Sequence, residues 1–446
     1  MSPGHDSDGA SPTGGAGAAR TAPPAAGVAA AAGGRRVSTV AAVVIAAALT
    51  LLVLAVLLPN LWYGLHDISD IPVYQGYSQR MANGERPFTH SFEIEYPPLA
   101  VPLFRLPGHA RDAVLYQRWF SIDMGIITVL TAIVVALAAC RFWPRGGRAY
   151  VAAVLFPVGA ALTGAIIVNR YDAAVALLVA IFLLCLSKRW YTAAAFVLGM
   201  GFALKLTPAA MLPLVLLLVG RPRRWLWPLV AFAAAAAGPF LPYLLSSASG
   251  LWYVFKYHLE RPLQIESVLG TPMLLGQLLG ADWAGWAHSH GSHSLVAPGA
   301  ALAADLSGGF TLLAVAGVYL LVWRRRARLR VARPDQTIAV LALIVALMAF
   351  GKVLSPQYFV WTLPAWALVA ARDRWVALVG GLTLLMTQVE FPALYWGVLD
   401  MQKGPLAAVI VRNLLLLALF GLALWRLWRM PDVYSADGPS DRRRGT

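Results

Sequence analysis

Apolar residues run through this chain in long stretches, broken by short clusters of charge, proline and glycine. Many runs reach roughly the 20 residues that an α-helix needs to cross about 30 Å of hydrocarbon. Spans at 38–59, 113–140, 149–168, 171–187, 190–204, 207–220, 225–245, 306–323, 336–354, 357–371, 375–390 and 406–428 predict about twelve membrane helices. Several are short, and they meet at Asn169-Arg-Tyr-Asp172, Lys205-Leu-Thr-Pro208 and Ser355-Pro-Gln-Tyr358. Irregular backbone at membrane depth must be enclosed by protein, so these junctions predict tilted or broken helices around a cavity. The expected fold is an all-α integral membrane bundle.

Two stretches depart from this pattern. From Asp70, the apolar positions Val73, Tyr74, Tyr77 and Met81 recur at helical spacing and stop at Asn83-Gly84. That spacing predicts a short amphipathic helix on the membrane surface, capped by Ser69 or Asp70, with Pro72 in its first turn. Residues 1–37, rich in Ala, Gly and Pro, read as a disordered cytoplasmic tail, and 431–446 as a second cytoplasmic tail. The membrane domain is then 38–430. The run after Arg35-Arg36 ends without a small-residue cleavage site, so it reads as an anchor rather than a signal peptide.

Composition agrees with the pattern: 59% of residues are hydrophobic and 13% charged, where soluble domains carry about a quarter charged. The net charge of +15 changes the picture only through its distribution. With the N-terminus inside, predicted cytoplasmic segments hold 24 of the 36 Lys and Arg but 7 of the 21 acids. That bias orients the chain in a plasma membrane. It also accounts for the basic residues without nucleic acid, through insertion and contact with anionic lipid. Both cysteines, Cys140 and Cys185, fall near predicted cytoplasmic helix ends, so no disulfide framework is expected.

The acids concentrate on the outer side, in segments 60–112, 246–305 and 391–405. Asp70 stands where the surface helix begins, beside the expected cavity. Its carboxylate either caps that helix or accepts a proton from an attacking hydroxyl. Glu95 and Tyr96, with Glu93, precede Pro97-Pro98, whose fixed extended path aims them in a definite direction. A structural turn and a binding role both fit. Charges inside the apolar runs, Asp123, Arg170, Asp172, Lys205 and Lys352, are costly in lipid and should face one another or an interior cavity. Arg261 and Glu266 follow an aromatic stretch in the second outer segment. His288, His290 and His293 sit among Gly and Ser at no recognisable metal spacing, and read as a solvated loop. No nucleotide loop or serine nucleophile elbow occurs in a credible context.

Seven blocks then carry a resemblance. Asp70-Ile-Pro-Val-Tyr74, Gly84-Glu-Arg-Pro-Phe88 and Glu95-Tyr-Pro-Pro-Leu99 resemble the first outer loop of glycosyltransferase family 87. Asn169-Arg-Tyr-Asp172, Lys205-Leu-Thr-Pro208, Arg261-Pro-Leu-Gln-Ile-Glu-Ser267 and Lys352-Val-Leu-Ser-Pro-Gln-Tyr358 look like later blocks of the same family. The likeness spans roughly residues 40–430. It implies a GT-C type multi-pass bundle, similar to actinobacterial polyprenol-phosphate-mannose-dependent α-mannosyltransferases. On that analogy the reaction is inverting and Asp70 is its base, with Asp67 as an alternate.

The donor would be a polyprenyl-phosphate sugar, mannose being the expected one and arabinose an alternative. The acceptor would be a lipid or glycan at the outer leaflet. Lys205, Arg261, Lys352 and Arg170 are the expected ligands of the departing phosphate. Glu95, Tyr96, Asp172, Glu266, Gln357 and Tyr358 are the expected sugar or acceptor contacts. No cofactor or metal is required. The rival class is a transporter or flippase of an amphipathic anion, which would also want cations around broken helices.

Overall fold

The computed structural model describes residues 35–60, 69–108 and 112–431. The predicted tails therefore fall almost wholly outside the described residues, as does Asp67. The chain opens with helix α1 (Thr39–Leu57), the short helix α2 (Ile71–Ala82) and α3 (Val101–Arg105). Next come α4 (Ala113–Phe142), α5 (Arg148–Thr163), α6 (Ile166–Asn169), α7 (Asp172–Lys188), α8 (Tyr191–Lys205), α9 (Leu212–Val219) and α10 (Leu226–Ala237). Then follow α11 (Leu241–Ser246), α12 (Ala248–Glu260), α13 (Thr271–Leu278) and a hairpin, β1 (Gly285–Ser289) with β2 (Ser292–Val296). The chain closes with α14 (Ala300–Arg324), α15 (Arg326–Val331), α16 (Gln336–Phe350), α17 (Phe359–Ala370), α18 (Arg374–Gln388), α19 (Tyr395–Leu399) and α20 (Lys403–Trp428).

Every predicted span thus carries a helix, and among the described residues six helices are long and apolar enough to cross a membrane. Sequence also sets where each helix sits. In α17 every residue is buried and in α16 nearly every one, because both are apolar all round and pack at the centre. Helices α1 and α14 lie at the periphery and expose Val44, Leu52, Leu312 and Leu313, a surface suited to lipid. Helix ends are satisfied locally: Asp112 Oδ1 accepts from Leu115 N at 2.7 Å and begins α4. Small residues allow close approach. A Cβ on Gly199 of α8 would stand 2.4 Å from the Phe232 carbonyl of α10.

The second outer segment departs from expectation. The histidines read as a solvated loop lie in the antiparallel hairpin, in register Ser289↔Ser292 and His288↔His293. The two turn residues, His290 (φ 48°) and Gly291 (φ 60°), both take positive φ, which matches the twist of the flanking strands. The hairpin docks through Leu295 N to Leu263 O at 2.8 Å and Ile265 N to His293 O at 3.1 Å.

Candidate functional site

The site is built where helices stop. Helix α8 ends as Leu206 adopts φ 54°, ψ −50°, a costly conformation for a residue with a Cβ, and the chain turns into Thr207–Met211. Arg170, between α6 and α7, is extended. Lys352 lies in the irregular piece between α16 and the Pro356–Tyr358 turn. These three junctions, the start of α2, the Glu95–Pro97 segment, the end of α12 and the hairpin enclose one cavity of about 370 Å³.

Asp70 lines that cavity, and its carboxylate is not used as a helix cap. Ser69 takes that part, its Oγ accepting from Ile71 N at 3.2 Å. On Asp70, Oδ2 accepts from the Tyr74 hydroxyl at 3.2 Å and pairs with Arg170 Nε at 3.2 Å. Oδ1 makes no bond to any described residue. Tyr74 itself is held among rings, stacked on Phe104 at 4.5 Å and edge-on to Tyr171 at 6.0 Å. Among the described residues the carboxylate thus has one oxygen fixed and one without a partner.

Lys205 lies opposite a ring of aromatics. Its Nζ is 4.3 Å from the Tyr171 ring centre and 5.6 to 5.8 Å from those of Tyr358, Trp361 and Tyr96. Asp172 Oδ1 pairs with the same ammonium at 3.3 Å and accepts from Trp361 Nε1 at 2.7 Å. Asp172, expected as a sugar contact, is placed here beside Lys205 rather than on the cavity wall. Its carboxylate is fully buried outside the cavity lining and serves as the counter-ion of Lys205. Nor do Arg170 and Asp172 pair with each other as neighbours: each reaches a different partner across the bundle.

The remaining expected residues converge on the same cavity. Arg261 Nη2 donates to Ser292 Oγ of the hairpin at 2.8 Å. Lys352 Nζ donates to the Leu259 carbonyl at 2.6 Å. Burial and the nearby Arg261 push the Lys352 ammonium below its ordinary pKa. Glu95 accepts from the Tyr77 hydroxyl, and burial holds its carboxyl above the usual range. Tyr96, Glu266, Gln357 and Tyr358 also line the wall. Gln264 stitches two blocks together: its Oε1 accepts from Leu354 N at 3.1 Å and Ser355 Oγ at 3.2 Å, while its Nε2 donates to Glu266.

Several wall residues escaped sequence reasoning. His258, His290 and His293 face the cavity, with His293 Nδ1 3.0 Å from the Tyr395 hydroxyl. The clue was available as an alternating stretch around His290-Gly291, a hairpin turn pair. Behind Glu266 lies a second missed group, Glu390 and Arg412, paired at 3.3 Å with both side chains fully enclosed. Arg412 Nη2 also donates to the Glu266 carbonyl at 2.8 Å. Burial, and then the neighbouring Glu390, push the Glu266 carboxyl upward. A lone Arg and a lone Glu inside apolar runs were the signal. Among the described residues no group of three or more His, Cys, Asp or Glu is placed to hold a metal.

His258 gives the site a pH signature. Burial, then Arg261 and Lys205, lower its pKa from 6.5 to about 4. The folded protein favours the neutral ring, so the stabilisation is intact above pH 6.5 and is lost as pH falls toward 4. Glu95, shifted upward, acts with the opposite sign, so the useful quantity is a difference. Between pH 6.5 and 4 the thermal midpoint of the wild type is expected to fall more steeply than that of His258→Asn. Parallel curves would remove His258 from this account.

The fold and site define an all-α, multi-pass membrane protein with a polar, cation-lined cavity formed at its helix junctions. The sequence model of glycosyltransferase family 87 matches residues 94–356. The chain belongs to this family and is a membrane glycosyltransferase, which sets the transporter reading aside. Among solved structures, ArnT from Cupriavidus metallidurans bound to undecaprenyl phosphate aligns with a TM-score of 0.47. The identity is 17%, covering 87% of this chain and 77% of that one. No curated protein matches in sequence.

Proposed function

We propose that the cavity transfers a hexose, mannose, from a polyprenyl-phosphate donor to a hydroxyl of a lipid or glycan acceptor, with inversion. The observation that carries this reading is the placement of Asp70. Its Oδ2 is held by Tyr74 and Arg170, while Oδ1 has no partner among the described residues, in a cavity that four cations line. The acceptor oxygen attacks the anomeric carbon and its proton passes to the Asp70 carboxylate. The bond from that carbon to the phosphate oxygen breaks, and its electron pair leaves on the phosphate. A phosphate needs no general acid, only charge, which Lys205, Arg261, Lys352 and Arg170 supply.

The charge bias of the sequence supports an outer-leaflet site. Nucleotide sugars are absent from that side, and a donor carried through the bilayer on a lipid phosphate meets the requirement. Glu95, Tyr96, Glu266, Gln357 and Tyr358 would then contact the sugars. The test is transfer of label from a panel of polyprenyl-phospho-sugars in membranes containing the purified protein. Mannose is expected to exceed arabinose by at least about tenfold. Transfer from the arabinose donor alone would replace the hexose assignment, and no transfer from any lipid-linked donor would sink the donor class.

A further inference from the structure

A second cavity, of about 760 Å³, opens at the arginine-rich end of the bundle, lined by residues with no part in the site above. Arg36 precedes α1, Arg141 ends α4, Arg145 lies in the turn that follows, Lys188 ends α7 and Arg333 leads into α16. Four separate parts of the chain thus bring five cations to one hollow. Local contacts hold the frame: Arg36 and Arg145 form an antiparallel bridge and Val37 N donates to the Pro144 carbonyl at 3.1 Å. Arg333 Nη1 donates to the Ser187 carbonyl, and Lys188 Nζ lies 4.1 Å from the Trp190 ring centre.

What the hollow lacks is negative charge. Among the described residues no carboxylate pairs with any of the five. Asp335, two positions from Arg333, is committed to Arg328 at 2.9 Å and Arg372 at 2.5 Å. Insertion bias explains basic residues at helix ends, but not their convergence around a shared cavity, where like charges repel. The floor adds a second property, because Val37, Leu137 and Leu184 line it alongside the cations. A smaller neighbouring cavity shares Arg141, Lys188 and Arg333 and extends the basic surface to Trp190.

We propose that this cavity binds the headgroup of an anionic phospholipid carrying more than one phosphate. The cations neutralise the phosphates, and the apolar floor receives the start of the acyl chains. Free polyphosphate shares the charge chemistry but has no use for the floor.

The experiment is lipid retention by the delipidated, full-length protein, read by native mass spectrometry. Its probes are cardiolipin, phosphatidylcholine and inorganic pyrophosphate. Cardiolipin is expected to bind and phosphatidylcholine not. The triple variant Arg141→Gln, Arg145→Gln, Lys188→Gln should lose affinity for cardiolipin about a hundredfold, at about fivefold per charge. The triple variant Arg324→Gln, Arg326→Gln, Arg374→Gln removes equal charge outside the cavity lining and should keep it. Equal losses in both variants would reduce the effect to net charge and overturn the proposal. Pyrophosphate binding as tightly as cardiolipin would overturn the lipid assignment. Size-exclusion profiles matching the wild type establish that each variant is folded.

Discussion

Asp70→Asn is expected to abolish sugar transfer, by at least about a thousandfold, the scale of a lost general base. Asparagine keeps the size of the side chain and an oxygen for the Tyr74 hydroxyl, but it cannot take up the acceptor's proton. The variant should insert and purify as the wild type does, because the cap of α2 comes from Ser69 and not from Asp70. Under the proposed mechanism, binding of the lipid-linked donor, measured by equilibrium titration, should survive within a few fold, since Lys205, Arg261 and Lys352 are untouched. Full activity in this variant would remove Asp70 from the mechanism. Loss of donor binding together with activity would instead make Asp70 a holder of Arg170.

The second large effect falls on stability. Arg412→Leu leaves Glu390 enclosed with no counter-ion, and breaking one side of a buried pair costs about 3–5 kcal/mol. It also deprives the Glu266 carbonyl of its guanidinium donor. The thermal midpoint in detergent should drop strongly, and Glu390→Gln added to Arg412→Leu should recover part of the loss. A double-mutant cycle measures that coupling. If Arg412→Leu unfolds at the wild-type temperature, the pair carries no structural weight, and its closeness to Glu266 calls for another account.

These two residues also show how far the sequence could be read. Asp70 was visible because it interrupts an apolar pattern at the head of an amphipathic helix, where only a cap or a chemical role explains a carboxylate. Helices were visible for the same local reason, and the breaks at Asn169, Lys205 and Ser355 marked the cavity. Arg412 was passed over because one charge barely alters a long apolar run. Its partners lie at positions 266 and 390, and no local periodicity reports such pairings.

The partner of Asp172 was hidden for a different reason. Asp172 stands two residues from Arg170, and proximity in sequence suggested a shared task. The turn into α7 sends Arg170 to Asp70 and Asp172 to Lys205. The hairpin was missed because Gly and Ser were read as signs of mobility. His290-Gly291 instead supplies the two positive-φ positions of a tight turn. Composition described the segment, while alternation along its strands carried the fold.

The hairpin has a wider consequence. It is carried, together with α12, on the single stretch from residue 246 to 305, yet it faces residues contributed by α2, α8 and the Lys352 junction. Within that stretch Arg261 reaches Ser292 and Tyr257 reaches the His290 carbonyl, while His293 to Tyr395, Gln264 to Leu354 and Ser355, Lys352 to the Leu259 carbonyl and Arg412 to the Glu266 carbonyl tie it to the bundle. One wall of the cavity is therefore supplied by a single continuous piece of chain, stitched to the bundle at several points. Under the proposed reaction, substitutions within that stretch would alter the contacts to the acceptor, while Asp70, Arg170, Lys205 and Lys352 lie outside it.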